Sequence, residues 1–169
     1  TRFLYVSWLG DVYKRQITYL GGTKVDLIED AVKSADFISI HMPLNDKTKN
    51  LINYELIKKM KKNCIIINTA RGGIINEIDL NKSLDENLIF GAGLDVFEKE
   101  PPESNNLLLK NEKVIMSPHT SALTDECKIR MAKETVKNII DFFENKLDKS
   151  VIVKLLSLIH ISEPTRRRG

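Results

Sequence analysis

Three side chains in the middle of this 169-residue chain could together handle a small acid. Arg71 follows an apolar run, Cys64-Ile65-Ile66-Ile67, within Asn68-Thr69-Ala70-Arg71-Gly72-Gly73. Glu100 follows Gly91-Ala92-Gly93-Leu94-Asp95-Val96-Phe97, and His119 follows Val114-Ile115-Met116. A guanidinium grips a carboxylate through two parallel hydrogen bonds and keeps its charge. An imidazole takes and returns a proton near neutrality, and a carboxylate beside it holds the ring. That set suits interconversion of a 2-hydroxy acid and a 2-keto acid. The reaction needs an anion grip, a proton acceptor and a cofactor that takes the hydride. Asp95, at the end of its own run, could accept a hydrogen bond from a carboxamide. Gly72 and Gly73 would leave room for a ligand to approach.

Each residue has a plainer reading when taken alone. The arginine could pair with a surface acid, the histidine could be structural, and the aspartate could form a turn. Their common position argues otherwise. Each stands just past a short apolar run, and in a parallel α/β sheet those run ends face one crevice.

The elements that would carry them read as follows. Leu27, Ile28, Ala31 and Val32 have helical spacing, after a turn at Gly21-Gly22. Residues 37–40 form a strand that cannot continue past Pro43. Asn53 caps a helix with Glu55 in its first turn and Leu56, Ile57 and Met60 buried. Lys58, Lys59, Lys61 and Lys62 form its solvated end. The run from Cys64 to Ile67 lacks alternation, as in a strand covered on both faces. Residues 76–84 form a helix with Ile78, Leu80 and Leu84 inside. Residues 88–96 form the next strand, 101–111 an irregular loop and 114–116 the last strand. Thr124 caps a helix over 125–147 whose stripe is Ile129, Ala132, Val136, Ile139, Ile140 and Phe143. The alternation predicts an α/β fold with right-handed crossovers and a parallel sheet with flanking helices.

Hydrophobic residues make up 42% and charged residues 29%, which fits a packed globule. No apolar run approaches the roughly 18 residues of a membrane span, and no secretory signal pattern is visible. The net charge of +3 is concentrated at the two ends, in Arg2, Lys14 and Arg15 and in Arg166, Arg167 and Arg168. The near-neutral body argues against a nucleic-acid surface. Cys64 and Cys127 fit no C-x-x-C pattern, so two reduced thiols in a cytoplasmic protein are expected, with no metal site. Residues 1–16 and 155–169 resemble peptides translated from sequencing-adapter DNA. They are set aside, leaving 17–154 as the body of the domain. The alternative is a real strand and loop at 1–16 and a basic tail at the other end.

Four stretches carry a resemblance to a known family. They are Ala35-Asp36-Phe37-Ile38-Ser39-Ile40-His41-Met42-Pro43-Leu44, Asn68-Thr69-Ala70-Arg71-Gly72-Gly73, Leu94-Asp95-Val96-Phe97-Glu98-Lys99-Glu100-Pro101 and Ser117-Pro118-His119-Thr120. The chain resembles the NAD-binding domain of the D-isomer-specific 2-hydroxyacid dehydrogenases, the group that contains D-3-phosphoglycerate dehydrogenase. The resemblance implies that Arg71 binds and polarises substrate and that His119 is the acid/base with Glu100 as its partner. It implies cofactor contacts from His41, Met42, Pro43, Thr69, Ala70, Arg71, Asp95, His119 and Ser121. NAD is the implied cofactor, with NADP left open. The family's G-x-G-x-x-G loop and its acidic ribose residue do not appear; Gly91-Ala92-Gly93 has no third glycine and reads as strand packing. The resemblance therefore implies a partial doubly wound, Rossmann-type parallel sheet with flanking helices, most of the second half of such a domain, truncated at the N-terminus and inactive alone. A small 2-hydroxy or 2-keto acid and a second copy of the full-length protein are the implied partners. A second reading is an NAD-sensing scaffold, since the C-terminal-binding corepressors resemble this family too.

Overall fold

The computed structural model describes residues 3–6, as backbone, and 25–148. Contacts divide the chain into one unit ending at Ala122 and another beginning at Leu123.

The first unit is built on parallel strands β1 (Phe3–Val6), β2 (Phe37–Ile40), β3 (Ile65–Asn68), β4 (Gly91–Leu94) and β5 (Val114–Met116). They lie side by side in sequence order, every neighbouring pair parallel. Between them run α1 (Ile28–Ser34), α2 (Tyr54–Ile57), α3 (Glu77–Asp85) and a 3-10 turn, Leu107–Lys110. The parallel α/β architecture expected from the alternation is what forms. β1 falls inside the stretch set aside for its adapter-like sequence, and it pairs Phe3 through Val6 with Phe37 through Ile40. Residues 7–16, the Gly21-Gly22 turn and the segment 155–169 lie outside the described residues.

Isoleucine builds the sheet because its branched side chain is stiff and packs well on a pleat. Ile38, Ile40 and Ile66 are fully buried on one face, while Phe37, Ser39, Ile65 and Ile67 are half-buried on the other. The strand expected to be covered on both faces is thus covered unequally. Ile52, Ile57, Ile74, Leu80, Leu84 and Leu108 complete the core. Each such side chain contributes on the order of 1.5–3 kcal/mol by leaving water.

Asparagines set the helix starts. Asn53 accepts from the Leu56 N–H and Asn76 from the Asp79 N–H, each at 3.0 Å. Those caps satisfy N–H groups that a helix leaves open at its first turn. α1 begins at Ile28, and Leu27, expected on its apolar face, stays exposed as the cap residue. Ile78, expected inside, is 78% exposed. It sits two residues from Leu80, about 200° round the helix and so on the opposite face. β4 is shorter than expected, because bends occupy residues 88–90 and Asp95 leaves the sheet to begin the next turn.

The second unit holds α4 (Asp125–Phe143). Thr124 caps it as expected, accepting from the Cys127 N–H at 3.1 Å. Its apolar stripe is not buried: Ile129, Val136, Ile139, Ile140 and Phe143 are all at least half exposed. The 3- and 4-residue spacing marks a face that could be buried; it does not supply a surface to bury it against. Among the described residues no helix is long and apolar enough to cross a membrane.

Candidate active site

Three turns leave the carboxyl ends of β3, β4 and β5 and meet. After β3, Asn68 turns the chain with its side chain, accepting from the Ala70 N–H at 3.0 Å and donating to the Arg71 carbonyl at 2.9 Å. An Asn at this place favours such a turn because its amide imitates a peptide. The Asp95 N–H then donates to the Asn68 carbonyl at 3.0 Å, joining the β3 and β4 turns.

Gly72 does not make room for a ligand, as its sequence position suggested. A Cβ there would stand 1.8 Å from the Phe97 carbonyl oxygen. The glycine lets the Arg71 turn lie directly against the Phe97–Glu98 peptide. Gly73 is needed for a different reason, its φ of 77°. Arg71 itself is exposed and donates from Nη1 to the Ala70 carbonyl at 2.6 Å. Among the described residues it is in no ion pair, so its guanidinium faces no competing carboxylate.

Glu100 and His119 meet as the sequence suggested. The Nδ1 of His119 lies 2.8 Å from Oε2 of Glu100, and the other carboxylate oxygen accepts from the Phe97 N–H at 3.1 Å. The hydrogen bond from His119, then that from Phe97, holds Glu100 below the usual carboxylate range against the opposing effect of burial. An ionised carboxylate only accepts, so Nδ1 carries the hydrogen, and in the neutral ring Nε2 presents the lone pair. That is the tautomer of a general base.

Asp95 does more than its sequence position showed. It is 3% exposed. Oδ1 accepts from Ser117 Oγ at 2.6 Å and the Thr120 N–H at 2.8 Å, and Oδ2 accepts from the Ser121 N–H at 3.0 Å. Burial would push its carboxyl up, but the bonds from Ser117, Ser121 and Thr120 outweigh it and hold the group well below the ordinary range. Its backbone carbonyl accepts from the His119 N–H at 2.9 Å. Asp95 therefore shapes the turn that presents His119, which is held at φ 52°. Left-handed backbone of this kind is uncommon outside glycine and needs such support.

Beside the pair opens a cavity of about 490 Å³, whose lining includes Phe97, Leu109, Met116 and Pro118 together with Glu100 and His119. Arg71 stands on the adjacent turn, not in that wall. His41, Met42 and Pro43 follow β2, and Thr69 and Ala70 follow β3, side by side because Ile40 pairs with Asn68. His41 meets Ser39 Oγ through Nε2 at 2.7 Å, Met42 is buried, and Ser121 is exposed. The sequence did not single out Asn68 or Glu77, and it gave Gly72 a different role. Only Asn68 left a signal, a turn-forming residue directly after an apolar run.

The family model for the D-isomer specific 2-hydroxyacid dehydrogenase NAD binding domain matches residues 7–121. The chain belongs to that family. It is 37% identical over 139 residues to glyoxylate reductase of Aeropyrum pernix, covering 82% of this chain and 42% of that protein. It is 42% identical over 133 residues to D-3-phosphoglycerate dehydrogenase of Methanocaldococcus jannaschii, covering 79% of this chain and 25% of that one. The holo form of D-mandelate dehydrogenase from Rhodotorula graminis superimposes with a TM-score of 0.71 at 29% identity, over 82% of this chain and 40% of that one. The chain thus spans about two-fifths or less of the length of these relatives. An NAD-binding domain of this family fits what the structure holds. The carboxyl ends of β2, β3 and β4 lie together on one edge, where a dinucleotide rests in such a sheet. No G-x-G-x-x-G phosphate loop occurs among the described residues.

Proposed function

We propose that the protein carrying this domain interconverts a D-2-hydroxy acid and its 2-keto acid with NAD, in the cytoplasm. The Glu100–His119 pair, at the carboxyl edge of a parallel sheet and one turn from an arginine that is in no ion pair among the described residues, carries the reading. NAD, when bound, supplies the acceptor for the hydride. His119 Nε2 takes the hydroxyl proton during oxidation and returns it during reduction. Glu100 keeps the ring in the tautomer that can do so and offsets the charge that the imidazole gains. Arg71 holds the substrate carboxylate and orients the carbon that loses hydride. The backbone of His41–Pro43 and Thr69–Ala70 lines the dinucleotide, with Arg71, Asp95, His119 and Ser121 toward the nicotinamide. Small substrates such as glyoxylate and hydroxypyruvate are the first to try, since relatives are named for their reduction. A homodimer is the expected assembly.

The test is NADH consumption on these two 2-oxo acids by a full-length protein carrying this domain. His119→Ala is expected to lower kcat by about 10²–10⁴-fold, the usual worth of a positioned general base. Arg71→Ala is expected to lower kcat/KM at least as far. Full activity in His119→Ala would defeat the assignment.

A further inference from the structure

We propose that Glu77 is a positioning residue for the Glu100–His119 pair, clamping both ends of the loop that carries Glu100. Glu77 is the first residue of α3, directly after the Asn76 cap. Its Oε1 accepts from the Glu98 N–H and its Oε2 from Asn106 Nδ2, each at 2.6 Å. Between those two donors lies the stretch 98–106, with Glu100 in it. Within that stretch the Lys99–Glu103 ion pair is exposed and weakly constraining. The buried neighbours Phe97 and Leu108 anchor the chain on either side. One carboxylate spanning both ends therefore fixes the height at which Glu100 meets the imidazole.

A carboxylate suits this place and an amide does not. Both of its contacts are donors, and an amide offers one acceptor and a donor that would oppose the second. Asn106 cannot turn its amide round to help, because its Oδ1 already accepts from the Leu108 N–H at 3.0 Å. The clamp matters for proton transfer under the dehydrogenase reading, on which this proposal rests; how the pair is held is independent of it.

The experiment follows the Glu100 carboxyl of the 169-residue chain by NMR against pH, together with the Glu100–His119 side-chain nuclear Overhauser contact. His119 and Asp95 are the titratable groups that face this carboxyl. In Glu77→Gln the Glu100 midpoint should rise toward that of an exposed glutamate, and the contact to His119 should be lost. Charge alone predicts the opposite sign, because removing a nearby negative group eases ionisation of Glu100. The pair Glu77→Gln/Asn106→Asp exchanges donor for acceptor across the same bridge and should return the midpoint and the contact. Asn106→Ala, which leaves the start of α3 intact, should give a smaller rise. An unchanged or lowered midpoint in Glu77→Gln overturns the proposal. So does a double variant that fails to restore it. If Glu77→Gln does not fold, Asn106→Ala decides: a rise supports the clamp and no rise refutes it. None of these readings needs turnover, so they stand apart from the fate of the assigned reaction.

Discussion

Gly72→Ala tests how the arginine turn is joined to the loop of the acid/base pair. The added methyl would lie 1.8 Å from the Phe97 carbonyl oxygen, 2.1 Å from its carbon and 2.6 Å from the Glu98 nitrogen. All three are backbone atoms, so no flexible side chain can swing away. Real Cβ atoms keep at least 3.0 Å from such neighbours, so the peptide must retreat by more than an ångström. Overpacking of this sort costs about 1–3 kcal/mol. The same peptide donates the Glu98 N–H to Glu77, a bond to a charged group worth about 1.5–3 kcal/mol and less at this exposed place. Against this, Gly72 is not in the left-handed region, so alanine gains about 0.4–1 kcal/mol by restricting the unfolded chain. A net loss of about 2–3 kcal/mol is expected, read as a lower urea midpoint with an unchanged slope. The Glu100–His119 contact should weaken in the same variant. A variant within about 0.5 kcal/mol of the parent, the usual range of a surface change, would show that the two turns are not packed as described.

Other outcomes follow from the same geometry. Asp95→Asn leaves an amide donor facing either the Ser121 N–H or the Ser117 and Thr120 donors, and should cost about 2–4 kcal/mol in urea unfolding. Asp95 and Glu100 both titrate below their ordinary range in the fold, so unfolding takes up protons as pH falls. Their contribution is complete above about pH 5 and drains away below it as pH falls toward the folded values. The urea midpoint should therefore fall between about pH 5 and pH 3, and Asp95→Asn should flatten that fall. Burial, then the Asp36 charge, pushes the Cys64 thiol up to about 11, whereas Cys127 is half-buried. At pH 8 a disulfide reagent should label Cys127 in the native chain and reach Cys64 only after unfolding.

Much of the framework could be read from residue pattern. β2, β3 and β5 announce themselves as short branched runs closed by Pro43, Asn68 and Pro118. Asn53 and Thr124 behave as the caps their type predicts. The meeting of Glu100 with His119 was legible because both follow neighbouring parallel strands. What escaped depends on contacts between distant stretches. Nothing local marks Gly72 as a seat for the Phe97 carbonyl or Glu77 as a partner of residues 21 and 29 positions later. The stripe of α4 was correctly periodic but carried no information about burial. The internal bonds of Asp95 were hidden as well, because an aspartate at a strand end has several uses and only tertiary placement shows which donors reach it.

The donors to Asp95 bear on the order in which the unit can assemble. Ser117, Thr120 and Ser121 arrive 22, 25 and 26 residues after the carboxylate they bind. Until the last strand docks, that carboxylate sits at a half-made edge with its partners elsewhere, and remaining in water is its cheapest state. Closing β5 over β4 thus seals the sheet and creates the histidine turn in a single cooperative act. Amide exchange at Thr120 and Ser121 should then be as slow as in β4, because opening that turn means exposing a charge the whole fold was built to enclose.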